Sequence, residues 1–90
     1  MKKLLIVGAG GFGRELFVWA SQHPDCGRAW TVAGFLDDNL DALAPFGSFA
    51  PVSPLAGHKP SADNLYLAGL GMPPLKEQLV APLVAAGAEF

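Results

Sequence analysis

The chain has 90 residues, of which 51% are hydrophobic and 16% are charged, and its formal net charge is −2. This composition is typical of one small globular domain and excludes a disordered chain. The sequence has no basic cluster, so we expect neither a nucleic acid nor a membrane as partner. Its single cysteine, Cys26, forms no intramolecular disulfide and lies in no metal-binding pattern, which favours a reducing, cytoplasmic location.

The most informative stretch is the run from Lys3 to Gly13, in which a strand leads into glycines and then a helix. Lys3–Val7 is continuously apolar after its lysine, as in a strand buried on both faces of a parallel sheet. Gly8, Gly10 and Gly13 then match the pattern G-x-G-x-x-G in the context that a nucleotide site requires.

Each glycine of this pattern has a physical role. Gly8 permits a sharp turn, Gly10 lets a phosphate approach the main chain, and Gly13 lets the helix pack closely on the strand. The free N–H groups and positive dipole end of the helix favour an anion, so the motif predicts a nucleotide diphosphate site. The alternative is a glycine-rich turn that only permits tight packing.

The helix after the glycines is predicted to run from Phe12 to about Gln22 and to end before His23-Pro24. Its apolar face is predicted from residues spaced at i, i+4, i+7 and i+8. Those residues are Phe12, Leu16, Trp19 and Ala20, and Phe17 and Val18 are predicted to widen the face, so that the helix is covered on more than one side. Arg14 is predicted to face solvent.

A second strand, Trp30–Leu36, is followed at once by Asp37 and Asp38. Asp37 lies 24 residues after Gly13, near the spacing at which a dinucleotide fold places its ribose-binding acid. A carboxylate there would accept hydrogen bonds from ribose hydroxyls or a base N–H, and it disfavours the 2′-phosphate of NADP. The alternative is a polar turn in which Asp38 or Asn39 caps a short helix.

The remaining chain is predicted to contain two more strands and a final helix. One helical turn at Leu40–Leu43 precedes a short edge strand at Phe49–Val52, where proline is tolerated. A buried strand over Asn64–Gly71 ends in Gly69 and Gly71, which would let a ligand lie against the backbone. His58 and His23 are interpreted as ordinary loop and helix-end residues.

The last helix is predicted to begin at Met72-Pro73-Pro74. Leu75, Leu79 and Leu83 form its apolar stripe, Pro82 kinks it, and Ala88–Phe90 begins a further strand. This order of elements predicts a small Rossmann-like, three-layer α/β domain with a parallel sheet.

Three stretches in order, Lys2–Glu15, Val32–Asn39 and Leu67–Gly71, followed by Leu79–Phe90, resemble the N-terminal domain of the NeuD/PglD-type sugar acyltransferases. The resemblance implies that this domain binds a UDP- or GDP-linked sugar, often a UDP-4-amino-sugar. The binding residues that it implies are Gly8, Gly10, Gly11, Phe12, Gly13, Asp37, Asp38, Gly69 and Gly71.

In that family a second domain, a left-handed β-helix of hexapeptide repeats, binds acetyl-CoA, forms trimers and supplies the catalytic histidine. Residues 1–90 show no such repeat, so they are predicted to be the nucleotide-sugar-binding domain alone, inactive by itself and with no catalytic residue, metal or cofactor of its own. Two alternatives remain open. One is an NAD-binding module of a redox enzyme or sensor, and the other is a non-catalytic interaction domain.

Overall fold

The computed structural model describes residues 1–71 and 73–90, and these residues form an α/β domain. The strands and helices, in chain order, are β1 (Lys2–Val7), α1 (Gly11–Ser21), β2 (Trp30–Leu36), β3 (Val52–Ser53), β4 (Asn64–Ala68) and α2 (Pro73–Ala85). A short 3₁₀ helix, Ala44–Phe46, lies between β2 and β3. The predicted opening of the last helix includes Met72, which lies outside the described residues.

The described strands form one parallel sheet in the order β3-β2-β1-β4. The central strand, β1, pairs with β2 from Lys2 opposite Trp30 to Val7 opposite Leu36, and with β4 on its other side. All strands therefore have their carboxyl ends on the same side of the sheet, which is called the carboxyl edge below. The predicted parallel α/β fold is confirmed.

Alternate residues of the strands pack on opposite faces of the sheet, as the two-residue period of a strand requires. On one face Ile6 and Phe35 form a buried cluster with side chains of α1. On the other face Val7 and Tyr66 pack with Leu83 of α2. The sheet thus lies between α1 and α2, which confirms the three-layer arrangement.

The predicted apolar face of α1 is right at Ala20, which is buried, and at Leu16, which packs against the core, but it is wrong at Phe12 and Trp19. Trp19 is 65% exposed and Phe12 is 47% exposed, whereas Phe17 is half-buried on the sheet. Its ring stacks on that of Phe35, with 5.4 Å between centroids, and meets the edge of Phe49 at 5.0 Å. The cause is Gly13, which must face β1 because its Cα lies against the Gly8 carbonyl, and this contact sets the rotation of the helix.

A pair of truncations on α1 tests this orientation. We expect Phe17→Ala to reduce the free energy of unfolding by about 2–3 kcal/mol, somewhat less than a fully buried phenylalanine would cost. Trp19→Ala removes a larger but mostly exposed side chain, so we expect a change within about 0.5 kcal/mol. Urea unfolding followed by circular dichroism measures both. If Trp19→Ala reduced the free energy of unfolding more than Phe17→Ala, Trp19 would lie on the buried face, as the spacing predicted.

Two further predictions concern the outer strands of the sheet, beside β2 and beside β4. The first is shifted along the chain, and the second is wrong. The edge strand forms at Val52–Ser53, slightly later than predicted, and it accompanies β2 because Phe35 donates its N–H to the Pro51 carbonyl at 2.9 Å. At the opposite edge, Ala88–Phe90 is not a strand, although Tyr66 donates its N–H to the Glu89 carbonyl at 2.9 Å.

The final helix is continuous through Pro82, and its predicted leucine stripe is only partly buried. Leu83 packs in the core, Leu79 is half-buried and Leu75 is exposed. Within residues 1–71 and 73–90, neither helix has the length and apolarity needed to cross a bilayer.

Candidate functional site

Three of the predicted site glycines, Gly8, Gly13 and Gly69, meet where α1 begins beside the ends of β1 and β4. Gly8 has a φ of +98°, which favours glycine, and donates its N–H to the Leu36 carbonyl at 2.8 Å. A Cβ at Gly13 would lie 1.9 Å from the Gly8 oxygen, and one at Gly69 would lie 2.7 Å from the Gly13 Cα. These glycines therefore permit close packing of main chain on main chain.

Gly10 and Gly11 are different, because they lie at the surface with space above them. Gly10 is extended (φ −77°) and caps α1, and a Cβ there would meet no atom within 4 Å among the described residues. The first helical hydrogen bond is the one that Arg14 donates to the Gly10 carbonyl at 2.9 Å. Gly10, Gly11 and Phe12 are exposed residues, and within the described part of the chain their N–H groups have no acceptor.

Arg14 lies against this turn, although the sequence indicated a solvent-facing residue. Its guanidinium donates to the Ala9 carbonyl at 3.3 Å and lies 3.9 Å above the ring of Phe46. The stacked ring holds the side chain in place and leaves a positive charge beside the amides of the turn. The available signal was its position directly after Gly13, on the first turn of the helix.

Asp37, the predicted ribose ligand, is engaged within the protein. One carboxylate oxygen accepts the Ala9 N–H at 2.9 Å, and the other accepts the Asn39 N–H at 2.9 Å. The second bond closes a side-chain turn at Asp37, whereas the alternative interpretation placed the capping side chain at Asp38 or Asn39. Asp37 thus ties the end of β2 to the glycine turn, and its first effect is to fix the shape of that turn.

Removal of this carboxylate has a predictable cost. Ala9 is fully buried, so in Asp37→Ala its N–H would lose its acceptor. We expect the free energy of unfolding to fall by about 1–3 kcal/mol, the usual penalty for a buried donor left unpaired. Asp41→Ala, at an exposed turn residue nearby, is the control and should change it by less than about 0.5 kcal/mol. If Asp37→Ala and Asp41→Ala unfolded at the same urea concentration, the role of the Asp37 carboxylate as the anchor of the Ala9 N–H would be contradicted.

Asp38 points to the other side of the strand end and joins it to the segment after β3. One of its oxygens accepts the N–H groups of Leu55 and Ala56, at 2.9 and 2.8 Å. Together with Gly8 and Asp37 it lines a cavity of about 220 Å³ that is otherwise walled by leucines. A second cavity of about 320 Å³, between the segment 55–58 and α2, is also lined by Asp38.

The structure thus divides the predicted site residues into groups. Gly10, Gly11 and Phe12 present main-chain donors, Gly8, Asp37 and Asp38 surround a cavity, and Gly13 and Gly69 form a packing contact. Gly71 is exposed and a Cβ there would meet open space, but it lines neither of these cavities. Across residues 1–71 and 73–90, no three His, Cys, Asp or Glu side chains gather as a metal site would require.

Comparison with known proteins gives no relative: no family model, curated protein or solved structure matches this chain.

Proposed function

We propose that this chain binds a nucleoside diphosphate sugar at the carboxyl edge of its sheet, as the nucleotide-sugar-binding domain of a sugar acetyltransferase. The observation that carries the proposal is that the exposed residues Gly10, Gly11 and Phe12 present a row of N–H groups without an acceptor among the described residues. A helix N-terminus with free donors favours a phosphate through hydrogen bonds and through the helix dipole. The guanidinium of Arg14 adds a full positive charge beside the same donors.

The acidic residues favour placing the nucleoside rather than the phosphates beside β2. Two carboxylates would repel a diphosphate, whereas they accept hydrogen bonds from ribose hydroxyls or a base N–H. Asp38 is the better candidate, since one of its oxygens has no partner in the described residues, while both oxygens of Asp37 hold main-chain amides. The diphosphate would therefore lie over the turn and the nucleoside beyond Asp38.

The acetyl-transfer part of the proposal rests on the resemblance of Lys2–Glu15, Val32–Asn39 and Leu67–Gly71 to the NeuD/PglD-type acyltransferases. Transfer to an amine or hydroxyl needs a general base beside the acceptor. In that family the base and the acetyl-CoA site belong to a trimeric β-helix domain. We therefore assign to residues 1–90 the capture of the UDP- or GDP-linked sugar, with no cofactor of their own, and expect a homotrimer for the complete enzyme.

Calorimetric titration of the purified chain with UDP, GDP and NAD tests the proposal. We expect saturable binding of UDP or GDP and weaker binding of NAD. Preference for NAD would replace the proposal with the redox alternative. Absence of binding by all three ligands would leave an interaction domain and overturn the proposal. A thermal shift series with the same ligands provides an independent readout, because a ligand that binds only the folded state raises the melting temperature.

A further inference from the structure

Ala9, in the middle of the glycine turn, is held by side chains from two other parts of the chain. It is fully buried, and its N–H donates to the Asp37 carboxylate at 2.9 Å. Its carbonyl oxygen accepts no main-chain N–H among the described residues, and the Arg14 guanidinium donates to it at 3.3 Å. Because a buried carbonyl without a partner is costly, Arg14 supplies a bond that the main chain of the turn does not.

The direction of the Ala9 carbonyl decides the direction of the Gly10 N–H. Both groups belong to one planar trans peptide, in which the C=O and the N–H point in opposite directions. While the Arg14 guanidinium holds the Ala9 oxygen on one side of the chain, the Gly10 N–H is therefore aimed to the other side. It has no acceptor there among the described residues, and it is one of the three donors of the proposed phosphate site.

The Arg14 guanidinium is in turn held by the ring of Phe46, which lies 3.9 Å from it. Phe46 is 50% exposed and ends the 3₁₀ helix, whose position is fixed by the buried Leu43. The Leu43 carbonyl accepts the N–H groups of Phe46 and Ser48 at 2.9 and 3.0 Å. Since an arginine fixed in one rotamer loses conformational entropy, the stacking on this ring favours the position in which Arg14 reaches Ala9.

We propose that Phe46 is a positioning residue of the phosphate site, which acts through Arg14 on the orientation of the Ala9–Gly10 peptide. Without the ring, Arg14 spends less time at the Ala9 carbonyl, and the Gly10 N–H is aimed at the phosphate in a smaller fraction of the molecules. The apparent affinity for the ligand is reduced by that fraction. This inference rests on the proposed function, since it concerns one of the donors of that site.

Two replacements of Phe46 separate its aromatic face from its bulk. Phe46→Tyr keeps the face, whereas Phe46→Leu keeps an apolar side chain without it. We expect Phe46→Leu to weaken the binding of UDP roughly 2- to 5-fold, the value of an exposed cation–π contact, and Phe46→Tyr to bind UDP as the wild type does. Calorimetry measures the affinities after the urea midpoints of the variants have been compared with that of the wild type.

Arg14→Gln tests the intermediate step. It removes a hydrogen bond from a charged donor, so we expect the affinity for UDP to fall about 10-fold or more. Arg28→Gln makes the same change of charge in an exposed turn before β2, and this control should bind UDP as the wild type does. Phe46→Leu should cause no further loss when it is added to Arg14→Gln, because its effect passes through the guanidinium.

The orientation of the Gly10 N–H can be measured without a ligand, from its residual dipolar coupling in a weakly aligned sample. We expect Phe46→Tyr to keep the wild-type coupling, and Phe46→Leu and Arg14→Gln to change it. The coupling of Gly27, which lies in a turn elsewhere in the chain, should be the same in all four proteins.

The outcomes are distinct. An unchanged Gly10 coupling in Phe46→Leu, or wild-type affinity for UDP in that variant, overturns the inference and leaves the proposed function intact. An equal loss of affinity in Phe46→Tyr and Phe46→Leu does the same, as does a further loss when Phe46→Leu is added to Arg14→Gln. A wild-type protein that binds no nucleotide overturns the proposed function, and the inference fails with it.

Discussion

Among variants that add a single methyl group to this protein, Gly13→Ala is expected to reduce the free energy of unfolding most. A Cβ at residue 13 would lie 1.9 Å from the Gly8 oxygen and 2.9 Å from the Gly8 carbonyl carbon. Both atoms are main chain, so relief requires α1 to move off β1. We expect a loss of about 3 kcal/mol, the upper end of the usual cost of overpacking, and in urea a fall in midpoint of roughly 2 M.

Gly11→Ala is the matched control, because it makes the same change two residues earlier in α1. A Cβ there would meet only an Arg14 side-chain nitrogen at 3.9 Å, an ordinary contact. Alanine favours the helix over glycine by up to about 1 kcal/mol, so this variant should be as stable as the wild type or more so. If Gly13→Ala matched Gly11→Ala in its midpoint, the close approach of α1 to the Gly8 carbonyl would be refuted.

Gly10→Val is expected to remove nucleotide binding and to leave the domain folded. Its Cβ would meet no described atom within 4 Å, and φ of −77° is open to valine, so the stability change should stay within about 1 kcal/mol. The two methyl groups would occupy the space that a phosphate needs to reach the amides. We expect the affinity for UDP or GDP to fall at least about 100-fold, or about 2.7 kcal/mol.

Ala62→Val is the control for this change. This variant adds two methyl groups in an exposed loop before β4. The loop lies at the amino ends of the strands, on the side of the sheet opposite the glycine turn. Calorimetry should give it the affinity of the wild type. Wild-type affinity in a folded Gly10→Val would refute the phosphate role of the turn, and an equal loss in both variants would mean that the effect is not local.

The fold was largely predictable from the sequence because its strongest signals are local. Lys3–Val7 and Trp30–Leu36 are apolar runs bounded by charged or turn residues, and β1 and β2 form there within one residue. The rotation of α1 was not predictable from spacing. Phe12 and Trp19 are at least as large as Phe17, yet the close contact of Gly13 with Gly8, which is a tertiary constraint, turns them to solvent.

The positions of the candidate site residues were largely predictable, but the contacts of their side chains were not. The glycine turn and the acids after β2 do lie at one edge of the sheet, as parallel strands require. The engagement of Asp37 by the Ala9 amide and the placement of Arg14 over Phe46 depend on residues far apart in sequence.

The central claim is that the amides of Gly10, Gly11 and Phe12 hold the diphosphate, and a ¹H–¹⁵N correlation spectrum recorded during a UDP titration tests it most directly. The account predicts that these three cross-peaks move furthest and saturate together, while those of Gly27 and Gly87, which lie in turns elsewhere in the chain, stay in place. Saturation by UDP with the three amides unmoved, or no change in any cross-peak, would contradict it.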